Sequence, residues 1–112
     1  MQTKWSQENQ VAILVCDTKG IILSMNNKAA RIFKKSGGFD LVGKSLMDCH
    51  PEYARKKIPE LISNNQSNCY TIEKGGFKAM LYQTPWYQDG LVMGLVEYIF
   101  DLPPEIPNRK HD

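Results

Sequence analysis

Along this chain the hydrophobic positions repeat first at the period of a strand, then at that of a helix, then again at that of strands. VAILVC (11–16) is a continuous apolar run rich in β-branched residues, followed by Asp17-Thr18-Lys19-Gly20 and a second run, IILSM (21–25). Two such runs about a glycine-bearing turn predict a β-hairpin. From there Ala29, Ala30, Ile32 and Phe33 put an apolar stripe on one helical face, with Lys28, Arg31, Lys34 and Lys35 largely on the other. Asn26 or Asn27 can cap that helix, because a short amide side chain accepts the N–H groups of the first turn. Ser36-Gly37-Gly38 stops it, and Phe39, Leu41 and Val42 bring the chain back to the core.

The stretch LVGKSLMDCHPEYARKKIPELI (41–62) stands at the centre of the pattern. A glycine turn at Gly43-Lys44 precedes Asp48, Cys49 and His50, three consecutive side chains able to titrate or to ligate a metal. Pro51 opens an amphipathic helix in which Tyr53, Ala54, Ile58, Leu61 and Ile62 follow helical spacing, and Pro59 is expected to bend or restart it. A polar loop, SNNQSN (63–68), leads to three strands, 69–74, 77–87 and 91–100, separated by the Gly75-Gly76 and Asp89-Gly90 turns. In the last strand Leu91, Met93, Leu95 and Ile99 face one way and Val92, Val96, Tyr98 and Phe100 the other, interrupted only by Gly94 and Glu97. A one-sided antiparallel sheet alternates with polar residues, so both faces of this one should be covered. The outer cover is expected from Trp5, on a polar arm (1–9), or from a second copy of the chain, and a homodimer is the favoured reading.

With 112 residues the chain suffices for one hydrophobic core, and its 42% hydrophobic and 23% charged content is that of a globular domain. The polar start MQTKWSQENQ lacks a signal-peptide core, and no apolar run reaches a membrane span, so a cytoplasmic protein without membrane contact is expected. Cys16, Cys49 and Cys69 have neither disulfide nor zinc spacing, in keeping with reduced thiols. From Asn26 to Lys57 eight Lys/Arg face three Asp/Glu, whereas 58–112 holds four against seven. That basic middle could draw an anionic ligand, though a solvated helix face explains it equally; no recognition motif points to nucleic acid. The tail at 103–112 is proline-rich and charged, and is expected to be extended and flexible.

The order strand, strand, helix, short helical stretch, helix and three strands resembles the PAS domain over residues 10–102. The resemblance is carried by ILVCDTKGIILSMNNKAARIF, LVGKSLMDCHPE and TPWYQDGLVMGLVEYIFDLP. It implies an α+β fold, a five-stranded antiparallel sheet with short helices on one face and a pocket between them. PAS domains sense ligands, redox state or light, or serve as dimerisation modules.

Several chemistries follow from that likeness. A histidine at the start of the helix, in a CHPE context, resembles the haem-ligating position of carbon-monoxide-responsive PAS regulators; here it is His50. Cys69 could then supply a thiolate on the other side, or Met80 or Met93 a thioether, with Lys44, Arg55 and Lys56 pairing with propionates. Flavin adduct chemistry is unlike this chain, because DCHPEY replaces the NCRFLQ-like motif and lacks its Arg and Gln. A chromophore on Cys49, as in photoactive yellow protein, lacks its Tyr and Glu partners, since Met25 and Ala29 stand there. Catalysis is not expected: Cys49 and His50 are adjacent and point apart, and Asp48 and Glu52 suit a helix start. The expected role is a sensory module with a small-molecule pocket lined by Ile32, Phe33, Leu46, Ile58, Ile62, Tyr70, Met80, Tyr82, Met93 and Leu95, apolar with a few polar tips. Its partner would be a second copy or a separate signalling protein, unless the chain is a fragment; a ligand-free dimerisation module is the competing expectation.

Overall fold

A computed structural model describes residues 4–112, the side chain of Cys49 excepted, so residues 1–3 of the expected arm lie outside the described part. Strands β1 (Ala12–Asp17) and β2 (Ile22–Met25) form the leading hairpin, followed by α1 (Asn27–Ile32) and short 3-10 turns at Lys34–Ser36, Gly38–Leu41 and Leu46–Cys49. Helix α2 (Glu52–Asn64) then leads to β3 (Asn68–Lys74), β4 (Phe77–Gln88) and β5 (Leu91–Asp101). The five strands form one antiparallel sheet in the order β2-β1-β5-β4-β3, which makes the last strand in sequence the central one. This is the α+β architecture the resemblance implies.

Asn26 joins the first elements. Its Oδ1 accepts from the N–H groups of Ala29 and Ile13, each at 3.0 Å, while its Nδ2 donates to the carbonyls of Ser6 and Val11, each at 2.8 Å. One buried amide thus caps α1, holds β1 and anchors the arm, with all its hydrogen-bonding capacity used. Gln7 adds a bond from its Nε2 to Asn27 Oδ1 at 2.7 Å.

The core lies between the helices and one face of the sheet. Ala12, Leu14 and Cys16 of β1, Ala79 and Leu81 of β4, and Leu95 and Ile99 of β5 meet Ala29 and Ala30 of α1 and Ala54, Ile58, Leu61 and Ile62 of α2. Burying Cys16 pushes its thiol up to about 11, since desolvation disfavours the thiolate. At the sheet's centre Gly94 has φ 153°, and a Cβ there would lie 1.9 Å from the Cys16 carbonyl oxygen. Only glycine permits that approach of β5 to β1, and Trp86 Nε1 donates to the same oxygen at 2.9 Å.

Of the two outcomes expected at Pro59, a bend or a restart, the restart does not occur: α2 runs continuously from Glu52 to Asn64. Proline removes one N–H, but the buried stripe on either side of it remains intact, and packing of that stripe outweighs one lost backbone bond. Among the described residues no helix is long and apolar enough to cross a membrane. From Pro103 the chain is exposed and forms neither helix nor strand.

Candidate functional site

Strand alternation sets the inner face of β5 as Leu95, Glu97 and Ile99, so an acidic side chain is carried into the core, where it is 1% exposed. The segment before α2 brings it a partner. Ser45 caps the 3-10 turn by accepting from Met47 N–H at 3.2 Å, and the turn delivers His50 beneath the sheet. His50 Nδ1 lies 3.0 Å from the Leu46 carbonyl oxygen, and Nε2 lies 3.0 Å from each carboxylate oxygen of Glu97. Gln83 Nε2 donates to Glu97 Oε1 at 2.7 Å, and Asn68 Nδ2 donates to Gln83 Oε1 at 3.2 Å. Arg55 Nε donates to the His50 carbonyl at 3.1 Å and fixes the start of α2.

Hydrogen-bond roles in this chain follow from what each atom can do. The Leu46 carbonyl can only accept, so Nδ1 carries a proton, and the Gln83 amide donates to Glu97 Oε1. Nε2 faces both carboxylate oxygens of Glu97, so His50 and Glu97 form a buried hydrogen-bonded pair that satisfies both side chains. It ties the start of α2 to β5, β4 and β3, three strands and a helix held by one polar chain.

Beside this chain the inner face is not fully filled. A cavity of about 260 Å³ is bordered by Ile32, Phe33, His50, Pro51, Tyr53, Tyr70, Ile72, Phe77, Ala79, Leu81 and Ile99. A second hollow of about 400 Å³ is bordered by Tyr53, Ala54, Lys57, Asn68, Tyr70, Thr71, Ile72 and Gln83. Tyr53 and Tyr70 stand where the two meet, in an edge contact with ring centroids 6.0 Å apart at 76°. Burial, and then hydrogen bonding with Tyr53, raises the Tyr70 hydroxyl well above the usual phenol range, so it remains a neutral donor.

The residues expected to line one pocket are divided by the fold. Ile32, Phe33 and Tyr70 border the inner cavity. Leu46, Ile58, Ile62 and Leu95 are buried in the core as packing residues. Met80 and Tyr82 are on the wrong face for that pocket: β4 pairs Leu81 with Ile99 and Tyr82 with Tyr98, so the odd positions turn inward and the even ones outward. Met93 lies at the bulge near the β4–β5 turn. On the outer face Met80 and Tyr82 border, with Trp5, Asn9, Val11, Ile13, Tyr98 and Phe100, an apolar hollow of about 430 Å³. Glu97, Gln83 and Asn68 were not anticipated. The signal available was the two polar residues, Gln83 and Glu97, set in otherwise apolar strands.

Haem does not fit the expected ligand set. Both His50 ring nitrogens are engaged, with Leu46 and with Glu97. Cys69 is opposite Tyr82 in the β3–β4 register and so lies on the far face of the sheet, as does Met80. Of the residues expected near propionates, Lys44 and Lys56 are exposed and Arg55 is held to the His50 carbonyl.

No protein-family model matches the chain, and no curated protein matches it. Solved structures do. The PAS domain of the histidine kinase ThkA superposes with a TM-score of 0.65 at 21% identity, covering 81% of this chain and 98% of its own. A sensory box sensor histidine kinase from Vibrio cholerae gives 0.62 at 17% identity, over 88% and 86%. The Aer2 receptor of Vibrio cholerae, described as a dual PAS-haem oxygen sensor, gives 0.63 at 18% identity, over 83% and 95%. At these identities the likeness is one of fold.

Proposed function

We propose that this chain, which has the PAS fold, is a sensory or regulatory module that takes a small organic molecule between its helices and the inner face of its sheet. The observation that carries the reading is the cavity of about 260 Å³ walled by apolar side chains and adjoining the buried His50–Glu97 chain. A molecule seated there touches α1, the start of α2 and strands β3 to β5 together, so its binding free energy falls on the contacts that relate helices to sheet. The outer face, with Met80, Tyr82, Tyr98 and Phe100, is where a second copy or a separate signalling protein reads the change. Kinship of fold with sensor-kinase domains supports this role, and no catalytic role is assigned. The haem chemistry of the Aer2 receptor is not carried over, because the residues here do not fit it.

The test is a thermal-shift titration with indole as a compact apolar probe, on the native chain and on Ile32→Trp, which narrows the cavity at its rim. Indole should raise the Tm of the native chain in a saturable way and leave the variant unmoved. A native Tm that indole does not raise speaks for a filled core. A pairing module without ligand is then the better reading, favoured by the apolar outer hollow of about 430 Å³.

A further inference from the structure

The inner cavity and the hollow beside it share Tyr53, Tyr70 and Ile72, yet they differ in character. Around the deeper lobe stand Phe33, Phe77, Leu81 and Ile99, and its imidazole, His50, is already paired with Glu97 at 3.0 Å. A charged ligand group would lose its hydration there with nothing to replace it, whereas hydrocarbon gains. The shallower lobe is bordered by Lys57, Asn68 and Gln83, and Lys57 is the one charged side chain among the described residues bordering it. Its ion pair with Glu60 is long, 3.9 Å, and the two side chains are 42% and 55% exposed. Such a pair is screened and contributes little, so the ammonium can turn to another anion. Tyr70, its hydroxyl hydrogen-bonded with Tyr53, forms the neck at the junction.

We infer that the joined hollow takes a medium-length monocarboxylic acid, with its carboxylate beside Lys57 and its hydrocarbon chain passing Tyr53 and Tyr70 into the lobe lined by Phe33 and Leu81. The inference rests on the ligand-sensor reading and adds the chemical class of the ligand. An amine is disfavoured by Lys57, and a compact polar metabolite by the apolar lobe. A linear amphiphile matches both ends, and each methylene group buried strengthens binding about fourfold.

Isothermal titration calorimetry with octanoate, hexanoate and 1-octanol tests this on the full chain, with circular dichroism confirming that each variant is folded. Octanoate should bind about fifteenfold more tightly than hexanoate, two methylene groups at about fourfold each, and several-fold more tightly than 1-octanol. Lys57→Gln should remove the preference for octanoate and leave 1-octanol unchanged, and raised salt should weaken octanoate alone. Ile32→Trp should weaken both eight-carbon probes. Equal binding of octanoate and 1-octanol by the native chain, or a preference that survives Lys57→Gln, overturns the carboxylate assignment and leaves the pocket standing. Binding of neither probe, together with an indole titration that leaves the Tm unmoved, overturns both.

Discussion

The two faces of the sheet are built from similar residues and end in different conditions. Inside, Leu14, Cys16 and Leu95 pack in the core with α1 and α2, Leu81 and Ile99 border the inner cavity, and Glu97 is matched by His50 and Gln83. Outside, Val11, Ile13, Met80, Tyr98 and Phe100 border a hollow shared, among the described residues, with Trp5 and Asn9 of the arm, and Trp5 remains 64% exposed. The rings of Tyr98 and Phe100 stack there with 6.2 Å between centroids. A protein can bury a polar side chain where it also brings its partners. An apolar face lacking a closing element invites another surface. On the proposed reading the inner face serves the ligand and the outer face the partner.

The contrast is broken most severely between adjacent residues on opposite faces. Leu81→Ala opens a void in the inner core and should lose about 2–5 kcal/mol. Tyr82→Ala, one residue on and 38% exposed, should change stability by no more than about 1 kcal/mol. Equal losses at the two positions would mean that the outer face is as tightly closed as the inner one.

Next comes His50. Replacing it by Leu leaves Glu97 buried without its hydrogen-bonded partner, which should cost about 1–3 kcal/mol or more in urea denaturation. The double variant His50→Leu/Glu97→Met removes both polar partners and should recover most of that loss. A double variant as unstable as the single one would show that the polar chain is needed for packing rather than for its hydrogen bonds.

Association should respond in the opposite sense. Phe100→Glu places charge on the outer face and should weaken self-association at least tenfold by sedimentation equilibrium, while the cavity and its probes are unaffected. If the native chain sediments as a monomer at all concentrations, the outer face is not a self-association surface.

The smallest effect concerns the thiols. In a Cys49→Ser background, iodoacetamide at pH 8 should label Cys69, which is exposed, and spare Cys16, which is buried. Because burial raises the Cys16 thiol from 9.0 to about 11, its contribution to stability is complete below pH 9 and is lost as the pH rises through about 11. Urea midpoints of the native chain and of Cys16→Ala, compared from pH 8 to 11, should converge.

Much of the architecture was legible because its signals are local. The glycine-bearing turns, the capping Asn26, the helical stripe of Ala54, Ile58, Leu61 and Ile62, and the three later strands all follow from neighbours within one turn or one pleat. Pro59 does not end α2, because a buried stripe holds both halves of the helix to the sheet. Met80 and Tyr82 misled. A strand apolar on both faces does not state which side is inward, and a shift of one residue exchanges the two sets.

The sequence by itself determined the order of the elements, the five strands with two principal helices, and the doubly apolar character of the central strand, because period and turn chemistry act over a few residues. Only the tertiary structure decided which face of β4 meets the helices, and that Glu97 finds His50 across 47 residues of chain. It also decided that Lys57 overlooks a hollow shared with Tyr53 and Tyr70. Those relations depend on strand register and on where α2 docks. Both are set by the summed packing of the whole core, which no single stretch of residues encodes.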